Sequence, residues 1–186
     1  SIIGDSFKSF ENRFFFTTQK ITIKREGFYD LHCILVNCAI MNLYPIESGN
    51  FKLDGGAMFG VVPKSLWQRS NPSDNNNMID IAARCLLIEE GNRLILIDTG
   101  MGNKQSDKFF GYYYLWGDNS IDKSLEKYGF HRNDITDVFM THLHFDHCGG
   151  SIQWNKDKTG YEPAFKNASF WSNADHWKWA TEPRRC

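Results

Sequence analysis

The chain has 186 residues, 41% hydrophobic and 15% aromatic, the size and composition of one globular domain or of a piece of a larger one. A formal net charge of -1 argues against nucleic acid as a bulk electrostatic partner. Five scattered cysteines without a CxxC pair argue against a disulfide framework and fit a reducing compartment. No apolar run reaches the ~18 residues of a membrane span. The apolar stretch at residues 33–41 lies too deep in the chain for a signal peptide. A cytoplasmic location is therefore expected.

Residues 1–40 show neither helical nor strand periodicity. They are expected to be an N-terminal extension, upstream or extraneous to a natural start at Met41. From there short β-like runs at residues 43–46 and 50–53 end at Gly55-Gly56. Residues 79–88 and 93–97 predict a hairpin joined by Glu89-Glu90-Gly91-Asn92. Asp98-Thr99-Gly100 then breaks the second strand. The aromatic-rich residues 104–116 read as helical. Ser120 can cap a helix over residues 121–128, with Gly129 at its C-terminal side. Residues 135–140 predict a buried strand, 168–171 a last one, and a helix follows from Ser172 or Asn173. Strands alternating with helices indicate an α/β layered fold.

The buried strand ends in Thr141-His142-Leu143-His144-Phe145-Asp146-His147-Cys148-Gly149-Gly150. Three of the chain's six histidines and a carboxylate fall within six residues, the donor types that a small cavity needs to hold a divalent transition metal. In extended backbone His142 and His144 point to the same side and can grip one ion. Asp146 and His147 follow at the turn, point differently and suit a second ion. Gly149-Gly150 permits a sharp bend. Cys148 reads as a small buried residue at that turn.

The run His142, His144, Asp146 and His147 resembles the HxHxDH signature of the metallo-β-lactamase superfamily, and Asp98-Thr99-Gly100 resembles that family's Asp-bearing loop. The resemblance covers residues from about Met41 to the end. It implies the αββα sandwich of that family, of which this chain would be the N-terminal half, residues 41–186 forming a partial domain cut before the remaining ligands. It implies two divalent metal ions, zinc in most members, with a bridging hydroxide as nucleophile. His142 and His144 would hold the first ion, and Asp146 and His147 the second. Asp98 would be a buried carboxylate orienting the cluster, and Asp146 would also pass a proton onward.

The residues at 50–63 resemble the lactonase-like, quorum-quenching branch. The small-molecule substrate expected from that likeness is a lactone such as an N-acyl-homoserine lactone, with Met58 and Phe59 as candidates for an acyl-chain wall. Two alternatives stay open: another hydrolase of the same fold, acting on β-lactams, thioesters or phosphodiesters, and an inactive metal-binding fragment. The family's further ligands are a third His, a bridging Asp and a final His. His176 is the one histidine after the signature and falls on the last predicted helix, so it is not expected to be a ligand. His32 and His131 carry no motif.

Overall fold

The computed structural model of the chain describes residues 7–9 and 41–182. In chain order the strands are β1 (Phe7–Ser9), β2 (Met41–Asp54), β3 (Met78–Glu90), β4 (Arg93–Ile97), β5 (Asp137–Phe139), β6 (Ile152–Trp154), β7 (Tyr161–Pro163) and β8 (Ser169–Ser172). The helices are α1 (Gly55–Phe59), α2 (Lys64–Trp67), α3 (Asp107–Gly111), α4 (Ile121–Lys127), α5 (Phe145–Cys148) and α6 (Ala174–Thr181). Six strands form one mixed sheet in the order β1-β8-β5-β4-β3-β2, and β6 and β7 form a separate hairpin. The expected α/β fold is what the chain adopts. Apart from β1, the expectation for residues 1–40 falls outside the described residues.

The sheet is antiparallel from β2 to β4 and parallel from β4 through β5 and β8 to β1. Glu90 pairs with Arg93, which leaves Gly91-Asn92 as the two-residue turn of the expected hairpin. Gly91 sits there at φ +57°, a conformation that costs a residue without Cβ little. The two short runs expected at residues 43–53 are in fact one strand, β2. The break suggested by Glu47-Ser48-Gly49 is a register shift of the bulge type, and Ser48 Oγ donates to the Ala83 carbonyl on β3 across it.

One face of the sheet carries Ile46, Leu87, Leu96, Val138 and Phe170 from successive strands, all fully or almost fully buried. Ile121 and Leu125 of α4, together with Phe165, close over them. Each such side chain contributes roughly 1.5–3 kcal/mol on burial. The spacing of Ile121 and Leu125 places both on one stripe of α4, and Ser120 caps that helix by accepting from the Lys123 amide. The opposite face carries a register row of Pro45, Leu86, Ile97, Phe139 and Trp171 across five strands. Leu86 and Phe139 in this row remain 37% and 36% exposed.

The aromatic segment at residues 104–116 is helical only over α3. Beyond it the chain turns back on β2: the Lys52 amide donates to the Tyr113 carbonyl at 2.6 Å, and the Trp116 amide donates to Asn50 at 3.1 Å. These bonds to an edge strand replace the helical ladder. The hairpin of β6 and β7 and the short helices α1 and α2 have no counterpart among the expected elements.

Candidate metal centre

β4 and β5 are parallel neighbours, so both deliver their C-terminal residues to the same edge of the sheet. Asp98 follows β4, Thr141 to His144 follow β5, and Asp146 and His147 lie on α5. Asp98 has φ 60°, the left-handed region that Asp and Asn tolerate better than most residues, and its amide donates to the Phe139 carbonyl at 2.9 Å.

The two loops interlock through their backbones. The Thr99 amide donates to the His147 carbonyl at 2.7 Å, and the Gly150 amide donates to Gly100 at 2.9 Å. Lys104 Nζ donates to the Gly149 carbonyl. A Cβ on Gly149 would stand 2.1 Å from the Met101 carbonyl oxygen, and one on Gly150 2.1 Å from that of Thr99. Neither glycine has a positive φ. The pair is therefore required by close approach of two backbones, not by the sharp bend that the sequence suggests.

The structure brings Asp98, His142, His144, Asp146 and His147 together. The buried Asp98 carboxylate accepts from the Thr141 amide at 2.9 Å, from Thr141 Oγ1 at 2.8 Å and from His147 Nδ1 at 2.8 Å. Because the Thr141 hydroxyl gives its proton to Asp98, it is left as an acceptor for His142 Nδ1, 3.1 Å away. This chain of bonds places the Nδ1 proton on both His142 and His147 and leaves their Nε2 lone pairs free. Thr141 heads the motif in sequence, yet nothing in the spacing marks it as the link between Asp98 and His142.

The remaining nitrogens fall into two pairs. His142 Nε2 lies 3.0 Å from His144 Nδ1, and His147 Nε2 lies 3.4 Å from an Asp146 carboxylate oxygen. Two donors each about 2.0–2.2 Å from one ion stand about this far apart, so each pair fits a shared divalent cation. The His142 and His147 ring centroids are 4.0 Å apart, which puts the pairs side by side. Burial, then the neighbouring His147 and His144, hold the His142 pKa below its usual value, which keeps that imidazole neutral as a ligand must be. Among the described residues no three His, Cys, Asp or Glu side chains form a group that would hold an ion.

The other candidates are placed elsewhere. His176 lies on α6 and its Nδ1 is buried without a hydrogen-bond partner. His131 precedes the short helical turn at Arg132–Asp134, and His32 is outside the described residues. Cys148 ends α5 half-buried, and burial raises its thiol pKa, the opposite of what a nucleophile needs. A cavity of about 580 Å³ opens against the pairs, lined on its apolar side by Phe51, Leu53, Met58, Ile81, Tyr113 and Phe145. Met58 is thus on the wall as expected. Phe59 is not: its ring stacks on Trp67 at 4.9 Å.

Residues 80–158 match the family model of the metallo-beta-lactamase superfamily. A probable metal-dependent hydrolase from Staphylococcus aureus superposes with a TM-score of 0.71 at 33% identity, over 77% of this chain and 50% of that one. Residues 80–158 thus belong to the metallo-β-lactamase superfamily. AidC, a dizinc quorum-quenching lactonase solved with its N-hexanoyl-L-homoserine product, superposes at TM-score 0.58 and 26% identity, over 78% of this chain and 46% of its own. An N-acyl homoserine lactonase of Bacillus sp is 29% identical over 122 residues, 60% of this chain and 44% of that protein. The Bacillus thuringiensis N-acyl homoserine lactonase is 25% identical over 146 residues, 70% of this chain and 54% of that protein. The chain spans about half the length of the curated relatives it matches. No helix among the described residues is long and apolar enough to cross a membrane.

Proposed function

We propose that the chain carries one part of a dinuclear metal-hydrolase centre whose substrate is a lactone of the N-acyl-homoserine type. The observation that carries this reading is the pairing of donors, His142 Nε2 with His144 Nδ1 at 3.0 Å and His147 Nε2 with Asp146 at 3.4 Å. His142 and His144 would hold one ion, Asp146 and His147 the other, and Asp98 orients His147 directly and His142 through Thr141. Bound there, two divalent cations, zinc as in the dizinc relative, supply Lewis acidity and a water acidic enough to attack a carbonyl at neutral pH.

The protein's own share is to position and to keep water out. The cavity wall of Phe51, Leu53, Met58, Ile81 and Phe145 suits an acyl chain. Arg84 is the one cationic side chain among the described residues on that wall, and Glu47 pairs with it at 2.6 Å. The wall therefore adds no unpaired cation of its own to the charge of the ions, and its apolar lining favours an acyl lactone over a phosphodiester. Asp146 can take the proton released by the attacking water and return it to the leaving alkoxide. Two donors per ion fall short of the three that zinc sites ordinarily have, so tight binding requires donors from outside the described residues.

Cobalt(II) titration followed by its visible bands tests the donor pairs. The chain should show two weak sites, with His142→Ala removing one and His147→Ala the other, and both should empty on dialysis. Equal uptake by the double variant, or stoichiometric metal retained after dialysis, would refute the assignment.

A further inference from the structure

We propose that Tyr113 is a specificity-determining residue, whose phenol donates a hydrogen bond to the amide carbonyl next to the scissile group of the bound acyl substrate. The inference rests on the hydrolytic reading of the site given above.

Tyr113 is held firmly and from several sides. Its carbonyl accepts from the Lys52 amide on β2 at 2.6 Å. Its ring lies 4.8 Å from Phe145, 5.1 Å from Phe109 and 6.5 Å from Phe51, centroid to centroid. Phe145 stands in the chain between His144 and Asp146, so Tyr113 is one aromatic ring removed from the donor pairs. The tyrosine lines the same 580 Å³ cavity as His144, Asp146 and His147.

Its hydroxyl makes no hydrogen bond with any described residue and is not buried. The other polar groups on this wall are engaged: Ser48 donates to the Ala83 carbonyl, Arg84 pairs with Glu47, and Asp98 accepts from Thr141 and His147. Burial pushes the Cys85 thiol up to about 11, so it stays protonated and unreactive. A ring fixed by packing with an unused donor at its tip loses little entropy when it binds an acceptor.

Position decides which acceptor. The scissile carbonyl must lie at the donor pairs, whereas Tyr113 lies beyond Phe145. The group within its reach is therefore the next polar one along an N-acyl substrate, the amide carbonyl, with the alkyl chain running on past Phe51 and Met58.

The test uses the whole chain with excess zinc and N-hexanoyl-L-homoserine as probe, with dissociation constants from ligand-observed NMR. Tyr113→Phe keeps the ring and should melt with the parent chain while weakening the probe about tenfold, the effect of one hydrogen bond in a partly dry site. Hexanoate lacks the amide, and its affinity should be the same for both proteins. Equal affinity of parent and Tyr113→Phe for the amide probe overturns the inference and leaves the hydrolytic reading standing. A weakening that is just as large for hexanoate also overturns it. No binding by the parent chain overturns the two together.

Discussion

Asp98→Asn is the sharpest perturbation of the centre, because Asn tolerates the left-handed backbone at φ 60° and only the carboxylate is lost. The amide oxygen can keep the bond from the Thr141 amide at 2.9 Å, and the Thr141 hydroxyl can turn to that same oxygen, 3.0 Å away. The new NH2 group then faces His147 Nδ1 across 2.8 Å, donor against donor. One charge-assisted bond is lost, about 2 kcal/mol. At roughly 2–4 °C per kcal/mol for a chain of this size, the melting temperature should fall by about 4–8 °C. His147 relieves the clash by moving its proton to Nε2, the nitrogen that pairs with Asp146. Metal affinity at that pair should drop about 10–100-fold, the usual loss when a residue orienting a ligand is removed. Long-range proton–nitrogen correlation spectra of the imidazoles read the tautomer, and cobalt titration reads the affinity. An Asp98→Asn chain that keeps the Nδ1 proton on His147 and melts within about a degree of the parent would refute the orienting role of Asp98.

Gly150→Ala places a Cβ 2.1 Å from the Thr99 carbonyl oxygen, a backbone atom that cannot swing aside, so the two loops must part. A loss of about 3 kcal/mol or more in urea unfolding is expected, whereas Gly111→Ala, with nothing within 4 Å of the added Cβ, should change stability by less than about 1 kcal/mol. For Asp137, burial raises the carboxyl pKa, but the bonds from Arg93, Thr136 and Trp171 outweigh it and leave the folded value below the usual carboxylate range. Its stabilisation is therefore complete above the unfolded value of about 3.9 and is lost as pH falls through the lower folded value. Asp137→Asn should cost on the order of 1–2 kcal/mol at pH 7, with the gap to the parent narrowing below about pH 4 in pH-dependent unfolding; a gap independent of pH would refute it.

Local chemistry was legible where one short stretch decides the outcome. Ser120 as a cap, Gly91-Asn92 as a hairpin turn and the His-rich run after a buried strand each follow from neighbours within a few residues. What escaped depends on distant partners. Glu47-Ser48-Gly49 reads as a break until Ala83 on the adjacent strand is seen to accept from Ser48. Residues 112–116 read as helix because their aromatic content says nothing of the edge strand to which Lys52 and Asn50 tie them. Gly149 and Gly150 look like bend residues, and their real reason, two carbonyls 2.1 Å from where a Cβ would go, lies in a loop some fifty positions earlier. Thr141 escaped for the same reason, since its hydroxyl acquires a role only from Asp98 and His142 on either side of it.

The centre is organised before any metal arrives. Carboxylate, hydroxyl and two imidazoles form one continuous chain, His142 Nδ1 to Thr141 Oγ1 to Asp98 to His147 Nδ1, which sets two tautomers at once. Metal-facing lone pairs on two rings thus depend on a single buried carboxylate, so Asp98→Ala, which removes the acceptor of both Thr141 and His147, should weaken both sites, whereas Asp98→Asn, whose oxygen still accepts from Thr141, should weaken chiefly the Asp146–His147 pair. Their affinities should also rise together with any donor added from outside the described residues. Each proposed ion has two donors among the described residues, and a third would gain from rings that already hold their tautomers and orientations. The position of the pairs at the C-terminal edge of β4 and β5 suits this arrangement. Ile97 and Phe139, the last residues of those strands, are paired in register, so the segments after them leave the sheet side by side and bring the Asp98 carboxylate within 2.9 Å of the Thr141 amide.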